Sequence, residues 1–186
     1  MERVGVFGGS FNPPHVSHVL GVTYAKLVAD LDRVLVIPVY QHPFSKELAP
    51  FDARLAMARA AFRDLPFVEV SDVERQLGGE SKTLRTLEHL AETAPEVGLR
   101  LIVGSDVLAD LHKWHRFDRI RALAPPLFLE RAGHPSRPGA LGVLPEVSSS
   151  EIRALFRESD AESEQRLSEI VPREVLRYAR SAGLYA

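Results

Sequence analysis

Two histidines three residues apart, His15 and His18, follow Gly8-Gly9-Ser10-Phe11-Asn12-Pro13-Pro14, a stretch built for tight turns and close backbone approach. At the start of a helix that spacing puts both imidazoles on one face. Beside the free N–H groups of a loop and a helix start, they suit neutralisation of charge on a phosphoryl group. Two other uses compete: surface histidines at a helix start, and a zinc pair at one-turn spacing. The lack of cysteine and of a third ligand at a recognised spacing counts against the metal. A second cluster is Gly104-Ser105-Asp106, where Gly104 permits close approach and Asp106 either accepts from a ribose hydroxyl or caps the next helix. Eight residues on stands Trp114, the only tryptophan, among His112, Lys113 and His115. It reads as a stacking platform for an aromatic ring or as a partly buried core residue. The third cluster, Ser148-Ser149-Ser150-Glu151-Ile152-Arg153, fits a capping box between Ser148 and Glu151. Arg153 then lies about one turn inside the helix, within reach of a phosphate at its N-terminus.

The elements that must position these groups alternate. Val4 to Phe7 reads as a buried strand broken at Gly8-Gly9, and His15 to Asp30 as a helix whose face carries Val16, Leu20, Thr23 and Leu27. Further strands are expected at residues 34–38, 67–70, 99–103 and 127–129, with a short sixth at 143–147. Helices are expected at 51–63, 83–94, 107–111, 117–123, 149–156 and 172–182. Residues 74–80 read as a polar stretch, 132–140 as a surface loop, and 157–168 as a charged connection or short exposed helix. Repeated βα units of this kind predict an α/β fold, a Rossmann-like open parallel sheet of five or six strands with helices on both faces. In such a sheet the loops at the carboxyl ends of the strands bind the ligand.

The chain has 186 residues, 45% hydrophobic and 26% charged, which predicts one globular domain over 1–186 with a helical part from about 148 packed on it. A formal net charge of −2 gives no overall basic field for nucleic acid. No cysteine means no disulfide, no thiolate metal site and no cysteine nucleophile. No secretion leader and no apolar run of membrane-spanning length stand in the sequence, so a cytoplasmic protein is expected.

The stretch Gly8 to His18 resembles the signature of the nucleotidylyltransferase superfamily, Gly-(Ser/Thr)-Phe-(Asp/Asn)-Pro followed by (His/Thr)-x-Gly-His, with Ser17 where glycine is usual. The spacing from Gly104 through Leu108 and Leu111 to Trp114 is similar to that of the nicotinate (nicotinamide) mononucleotide adenylyltransferases. Ser148 to Arg153 resembles that family's (Ile/Val)-Ser-Ser-(Thr/Ser)-x-Ile-Arg. Lys46, Arg131-Ala132-Gly133, Ser81 to Leu87 and the ending Leu184-Tyr185 also match, with Lys82 and Arg85 replacing a tyrosine and an aspartate.

The resemblance implies adenylyl transfer from ATP to nicotinate mononucleotide, giving nicotinate adenine dinucleotide and pyrophosphate in NAD biosynthesis. It assigns ATP to Gly8, Gly9, Ser10, Phe11, His15, His18, Gly104, Asp106, Ser148, Ser149 and Arg153. The mononucleotide falls to Asn12, Lys46, Lys82, Thr83, Trp114 and Arg131. His18, with His15, is expected to stabilise charge in the transition state, and Mg²⁺ to arrive with ATP without a protein site of its own. The partners implied are ATP and a pyridine mononucleotide, with no nucleic acid or membrane, and a homo-oligomer is left open. The alternatives are nicotinamide mononucleotide, another acceptor such as phosphopantetheine, or a non-catalytic nucleotide sensor. The N–H groups at the helix start after Gly79 favour the nicotinate carboxylate. Lys82 would add to that preference, unless Glu80 pairs with it.

Overall fold

A computed structural model describes residues 1–41, 47–132 and 144–185. Five strands form one parallel sheet in the order β3-β2-β1-β4-β5: β1 (Arg3–Gly9), β2 (Arg33–Pro38), β3 (Val68–Val70), β4 (Gly98–Gly104) and β5 (Pro126–Leu129). Successive side chains point to opposite faces. Val4, Val6, Leu35, Ile37, Leu101 and Val103 therefore meet Leu84 and Leu87 of helix α4 (Thr83–Thr93) and Ile120 of α5 (Phe117–Leu123). Val34, Val36, Ile102 and Leu129 pack on the other face against α1 (Val16–Val28) and Phe62 of α2 (Phe51–Phe62). Burial on both faces is why these strands are continuous apolar runs. A third apolar cluster joins Met57 of α2 to α6 (Ser149–Glu158), α7 (Ala161–Ile170) and α8 (Arg173–Ser181).

The strand order reverses between β1 and β4, and a crevice opens there beyond the strands' carboxyl ends. β1 does not stop at Phe7: Gly8 and Gly9 continue the ladder opposite Ile37 and Pro38. No sixth strand forms among the described residues; Leu144 makes only an isolated bridge to Arg131. Residues 73–77 are a short helix, α3 (Val73–Leu77), rather than a plain polar stretch, and it buries Val73 and Glu74. The charged connection is the full helix α7, held by buried Ser163, Leu167 and Ile170.

The face of α1 also differs from expectation. Leu20, Leu27 and Val28 are exposed, while Ser17, Gly21, Val22 and Ala25 are buried. Small side chains let the helix lie close on the sheet: a Cβ added at Gly21 would stand 3.0 Å from Leu129. Hydropathy spacing favoured the larger residues, whereas close approach selects the smaller ones.

Candidate functional site

Two cavities meet at the switch point and share the walls Phe7, Gly8, Gly9, Ser10, Gly104 and Val107. One, about 370 Å³, runs beneath α4 and is chiefly apolar, with Leu84, Leu87 and Trp114 in its wall. The other, about 910 Å³, is lined by His15, His18, Arg131, Ser148, Ser149 and Arg153. A side chain at Gly8 would meet no neighbouring atom, so the glycine leaves open the space where the cavities join.

In the larger cavity, His15 is the N-cap of α1 and His18 its third residue. Their rings lie 3.8 Å apart between centroids. The His15 backbone N–H donates to His18 Nδ1 at 3.1 Å. An acceptor Nδ1 carries no proton, so the His18 proton sits on Nε2. Burial, then the Arg131 cation, pushes His15 down to about 3. Burial, then His15 and Arg131, hold His18 well below its ordinary value. Both imidazoles are therefore neutral near pH 7 without ligand, with N–H groups to offer rather than the positive charges a sequence reading suggests. His15 Nδ1 is buried and has no partner.

The C-terminal helices close this cavity. Ser148 caps α6 by accepting from the Glu151 N–H at 3.1 Å, and its own N–H reaches the Glu151 carboxylate at 3.4 Å. That capping box matches the sequence reading. Arg153 donates to the Asn12 carbonyl at 3.0 Å, and Ser149 Oγ to the Pro13 carbonyl at 2.9 Å. Ser17, in the usual glycine position, is buried and donates its hydroxyl to the Pro145 carbonyl at 2.9 Å, so the helix tolerates it.

Several assignments change place. Asp106 does not cap a helix: it lines the histidine cavity near the start of a 3₁₀ helix, Ser105–Lys113, whose N-cap is Gly104, and one of its carboxylate oxygens pairs with Arg131 at 2.8 Å. A Cβ at Gly104 would collide with that carboxylate. Arg131, expected beside the mononucleotide, lies in the histidine cavity and also donates to the Val147 carbonyl. Asn12, expected to face the mononucleotide, is 2% exposed. Its Oδ1 accepts from the Ala49 N–H at 3.0 Å and the Tyr185 hydroxyl at 2.9 Å, so this oxygen braces the loop. Lys46 lies outside the described residues.

The apolar cavity holds Lys82, Thr83 and Trp114, as the sequence grouped them. Trp114 is half-buried and stands edge-on to Phe117, centroids 6.2 Å apart, so it has one side in the core and one toward the cavity. Lys82 Nζ lies 3.5 Å from Glu80, and both side chains are more than half exposed. Screened in this way, the ammonium adds little to the recognition of a carboxylate. Thr83 opens α4, whose first N–H groups have no partner within the helix.

Three residues escaped sequence reasoning. Glu74 is 5% exposed and accepts from Thr86 Oγ1 at 2.5 Å, while its Oε2 is buried without a partner. Arg54 is 2% exposed on the buried side of α2. Its signal was an arginine at helical spacing from Met57, Ala58 and Ala61. Tyr185 returns from the C-terminus to the phosphate side, and burial raises its hydroxyl above the ordinary phenol value. Only its place in the family ending marked it.

A cytidylyltransferase-like family model matches residues 6–155. The chain is 45% identical to the "probable nicotinate-nucleotide adenylyltransferase" of Anaeromyxobacter sp. (strain K), over 99% of this chain and 97% of that one. It is 40% identical to the protein of the same name from Myxococcus xanthus, over 98% and 94%. A solved Plasmodium falciparum nicotinic acid mononucleotide adenylyltransferase complexed with NaAD superposes with a TM-score of 0.86 over 100% of this chain and 98% of that one, and at 17% identity it supports the fold. With matches of this identity over nearly its whole length, on a sheet of the same topology, the chain belongs to the nicotinate-nucleotide adenylyltransferase family, among the cytidylyltransferase-like nucleotidyltransferases.

Proposed function

We propose that the protein transfers the adenylyl group of ATP to nicotinate mononucleotide, forming nicotinate adenine dinucleotide and pyrophosphate. The observation that carries this reading is the junction of an apolar, Trp114-walled cavity with a histidine- and arginine-lined one at the switch point. The pyridine ring takes the first and the triphosphate the second, so the two phosphates meet over Gly8. An oxygen of the mononucleotide 5′-phosphate attacks the α-phosphorus of ATP. A new P–O bond forms, the bond to the bridging oxygen breaks, and its electron pair leaves with pyrophosphate. The attacking phosphate is already an anion, so the reaction needs alignment and charge stabilisation rather than a general base.

His18 supplies an Nε2–H donor for the α-phosphate oxygens, and His15 a second imidazole beside it. Arg131 joins Arg153 on the ATP side, and Ser149 and the loop N–H groups complete the phosphate cradle. Mg²⁺ enters with ATP, as part of the substrate. Among the described residues no group of three or more His, Cys, Asp or Glu stands together to hold a metal. The N–H groups at the start of α4 face the ring substituent and favour the nicotinate carboxylate.

One feature favours nicotinamide mononucleotide instead. Glu74 Oε2, buried and unpartnered in the wall of the apolar cavity, is suited to accept from an amide N–H. A pyrophosphate-release assay with ATP, Mg²⁺ and each mononucleotide decides. A higher kcat/KM for the acid supports the reading, a higher one for the amide transfers it to nicotinamide mononucleotide, and binding without pyrophosphate release makes the protein a sensor.

A further inference from the structure

Arg54 does not line either cavity, yet it is among the most buried side chains of the protein. A guanidinium is costly to bury. Its neighbours on α2, Ala53, Leu55, Met57 and Ala58, are all buried and small or apolar, so packing alone would accept an apolar residue there. Among the described residues, each hydrogen bond it makes ends on a backbone carbonyl. Nε donates to Ala49 at 2.9 Å, one terminal nitrogen to Ser10 at 3.0 Å and Val39 at 2.7 Å, and the other to Tyr40 at 3.4 Å. These carbonyls belong to the segments that leave β1 and β2 and enter α2.

The Ser10 bond is the one with a chemical consequence. In a trans peptide the C=O and the following N–H point in opposite directions. A carbonyl drawn to Arg54, behind the loop, therefore turns the Phe11 N–H the other way. Phe11 and Ser10 both line the histidine cavity, and among the described residues no backbone acceptor takes the Phe11 N–H. Phe11 also holds a left-handed backbone, φ +47°, which a bulky residue keeps only where its surroundings enforce it. The preceding peptide is held in the same manner, its Gly9 carbonyl accepting from the Val39 N–H at 2.9 Å. The next peptide carries the Asn12 N–H, and the two after it run into Pro13 and Pro14 and carry none.

We infer that Arg54 is a positioning residue for catalysis: by capturing the Ser10 carbonyl from behind, it aims the Phe11 N–H at a phosphate of ATP in the histidine cavity. The inference rests on the adenylyl-transfer reading for the identity of the ligand, and its geometry requires only a polyphosphate.

Arg54→Lys keeps the charge and loses the planar fork that holds several carbonyls at once. Phenyllactic acid incorporated at position 11 replaces the Phe11 N–H by an ester oxygen and leaves Arg54 in place. Both full-length proteins are compared with the wild type for binding of inorganic tripolyphosphate, pyrophosphate release, KM for each substrate and thermal melting. A charge-assisted hydrogen bond of this kind corresponds to about a tenfold or greater loss of tripolyphosphate affinity in each variant. The KM for the mononucleotide stays within about twofold, since that ligand's ring lies in the other cavity. Combining the changes gives no further loss, because both remove the same contact. A folded Arg54→Lys protein with wild-type tripolyphosphate affinity overturns the proposal, as does an equal rise in both KM values or full additivity of the two changes. Should Arg54→Lys lose its cooperative melt, the ester protein decides: wild-type affinity overturns the proposal, and a tenfold loss at unchanged melting supports it. A wild type that binds tripolyphosphate but releases no pyrophosphate removes the adenylyl-transfer reading alone.

Discussion

The two cavities share a wall of glycines and are built by opposite means. The apolar one is made from the sides of strands and helices: Val6, Ile37, Leu101, Leu84 and Leu87 form it simply by being the core face of the sheet, with Trp114 at its mouth. The phosphate cavity is made from loop backbone, and its polar side chains are fixed chiefly by backbone carbonyls. Arg153 and Ser149 hold the Asn12 and Pro13 carbonyls, and Asp106 and Val147 hold Arg131. A chain with a formal net charge of −2 thus gathers arginines around one cavity, while the cations at the other, Lys82 and Lys113, are exposed and paired with Glu80 and Asp110. Recognition of a ring needs shape and a stacking face. Stabilisation of a transferring phosphoryl group needs oriented donors, and orientation takes a second tier of contacts.

That division has consequences that substitutions can break. The largest effect is expected at His18. His18→Ala removes the Nε2–H donor, and kcat should fall on the order of 10²–10³-fold with KM for ATP much less affected. Steady-state kinetics that return a wild-type kcat would remove His18 from the chemistry. In the other cavity the pattern should invert. Trp114→Ala should raise KM for the mononucleotide about tenfold, the scale of a lost aromatic stack, and leave KM for ATP near wild type. If the variant instead loses its cooperative melting transition, Trp114 serves the core and not the ligand.

A third measurement sharpens the contrast through pH. His15 is held neutral, its pKa down at about 3 from an ordinary 6.5. Below pH 6.5 the unfolded chain takes up a proton that the folded protein refuses, so stability falls as pH drops through the window from about 6.5 to about 3. Calorimetric unfolding across that window should show the fall, with a slope of at most about 1.4 kcal/mol per pH unit from this residue. His15→Gln should make the fall shallower, with His18, also held low by burial, supplying the remainder; an unchanged slope means His15 contributes nothing to it. Bound triphosphate should oppose the fall, because its charge favours the protonated imidazole. The smallest effect is expected at Lys82. Since Lys82 is exposed and paired with Glu80, Lys82→Met should shift the ratio of kcat/KM for nicotinate over nicotinamide mononucleotide by less than about twofold, within the range of a surface ion pair. A collapse of that ratio would return Lys82 to the site and displace the α4 helix start as the source of selectivity.

Much of this was legible in the chain because its signals are local. Strands β1, β2 and β4 are apolar runs that end in glycine or proline, α6 announces its start with Ser148 and Glu151, and α5 begins and ends at the residues its pattern marks. Backbone sterics, pleat and capping act over a few residues, so a few residues reveal them. The same locality grouped His15 with His18 and placed Gly104 near Trp114.

What only the tertiary structure decided is what each side chain meets. The buried face of α1 was set by how closely a helix carrying Ser17, Gly21 and Ala25 lies on the sheet, and periodicity of large apolar residues pointed elsewhere. Arg131 went to the phosphate side because Asp106, across the ends of β4 and β5, draws it there. The histidines became neutral donors through burial and a neighbouring cation, neither of which spacing can express. Arg54, Glu74 and Tyr185 gained their parts largely through partners remote in sequence: Ser10 lies 44 residues from Arg54, Thr86 lies 12 from Glu74, and Asn12 lies 173 from Tyr185. Hydrogen bonding and desolvation depend on distance in space, and for those residues the chain order carries almost no information about it.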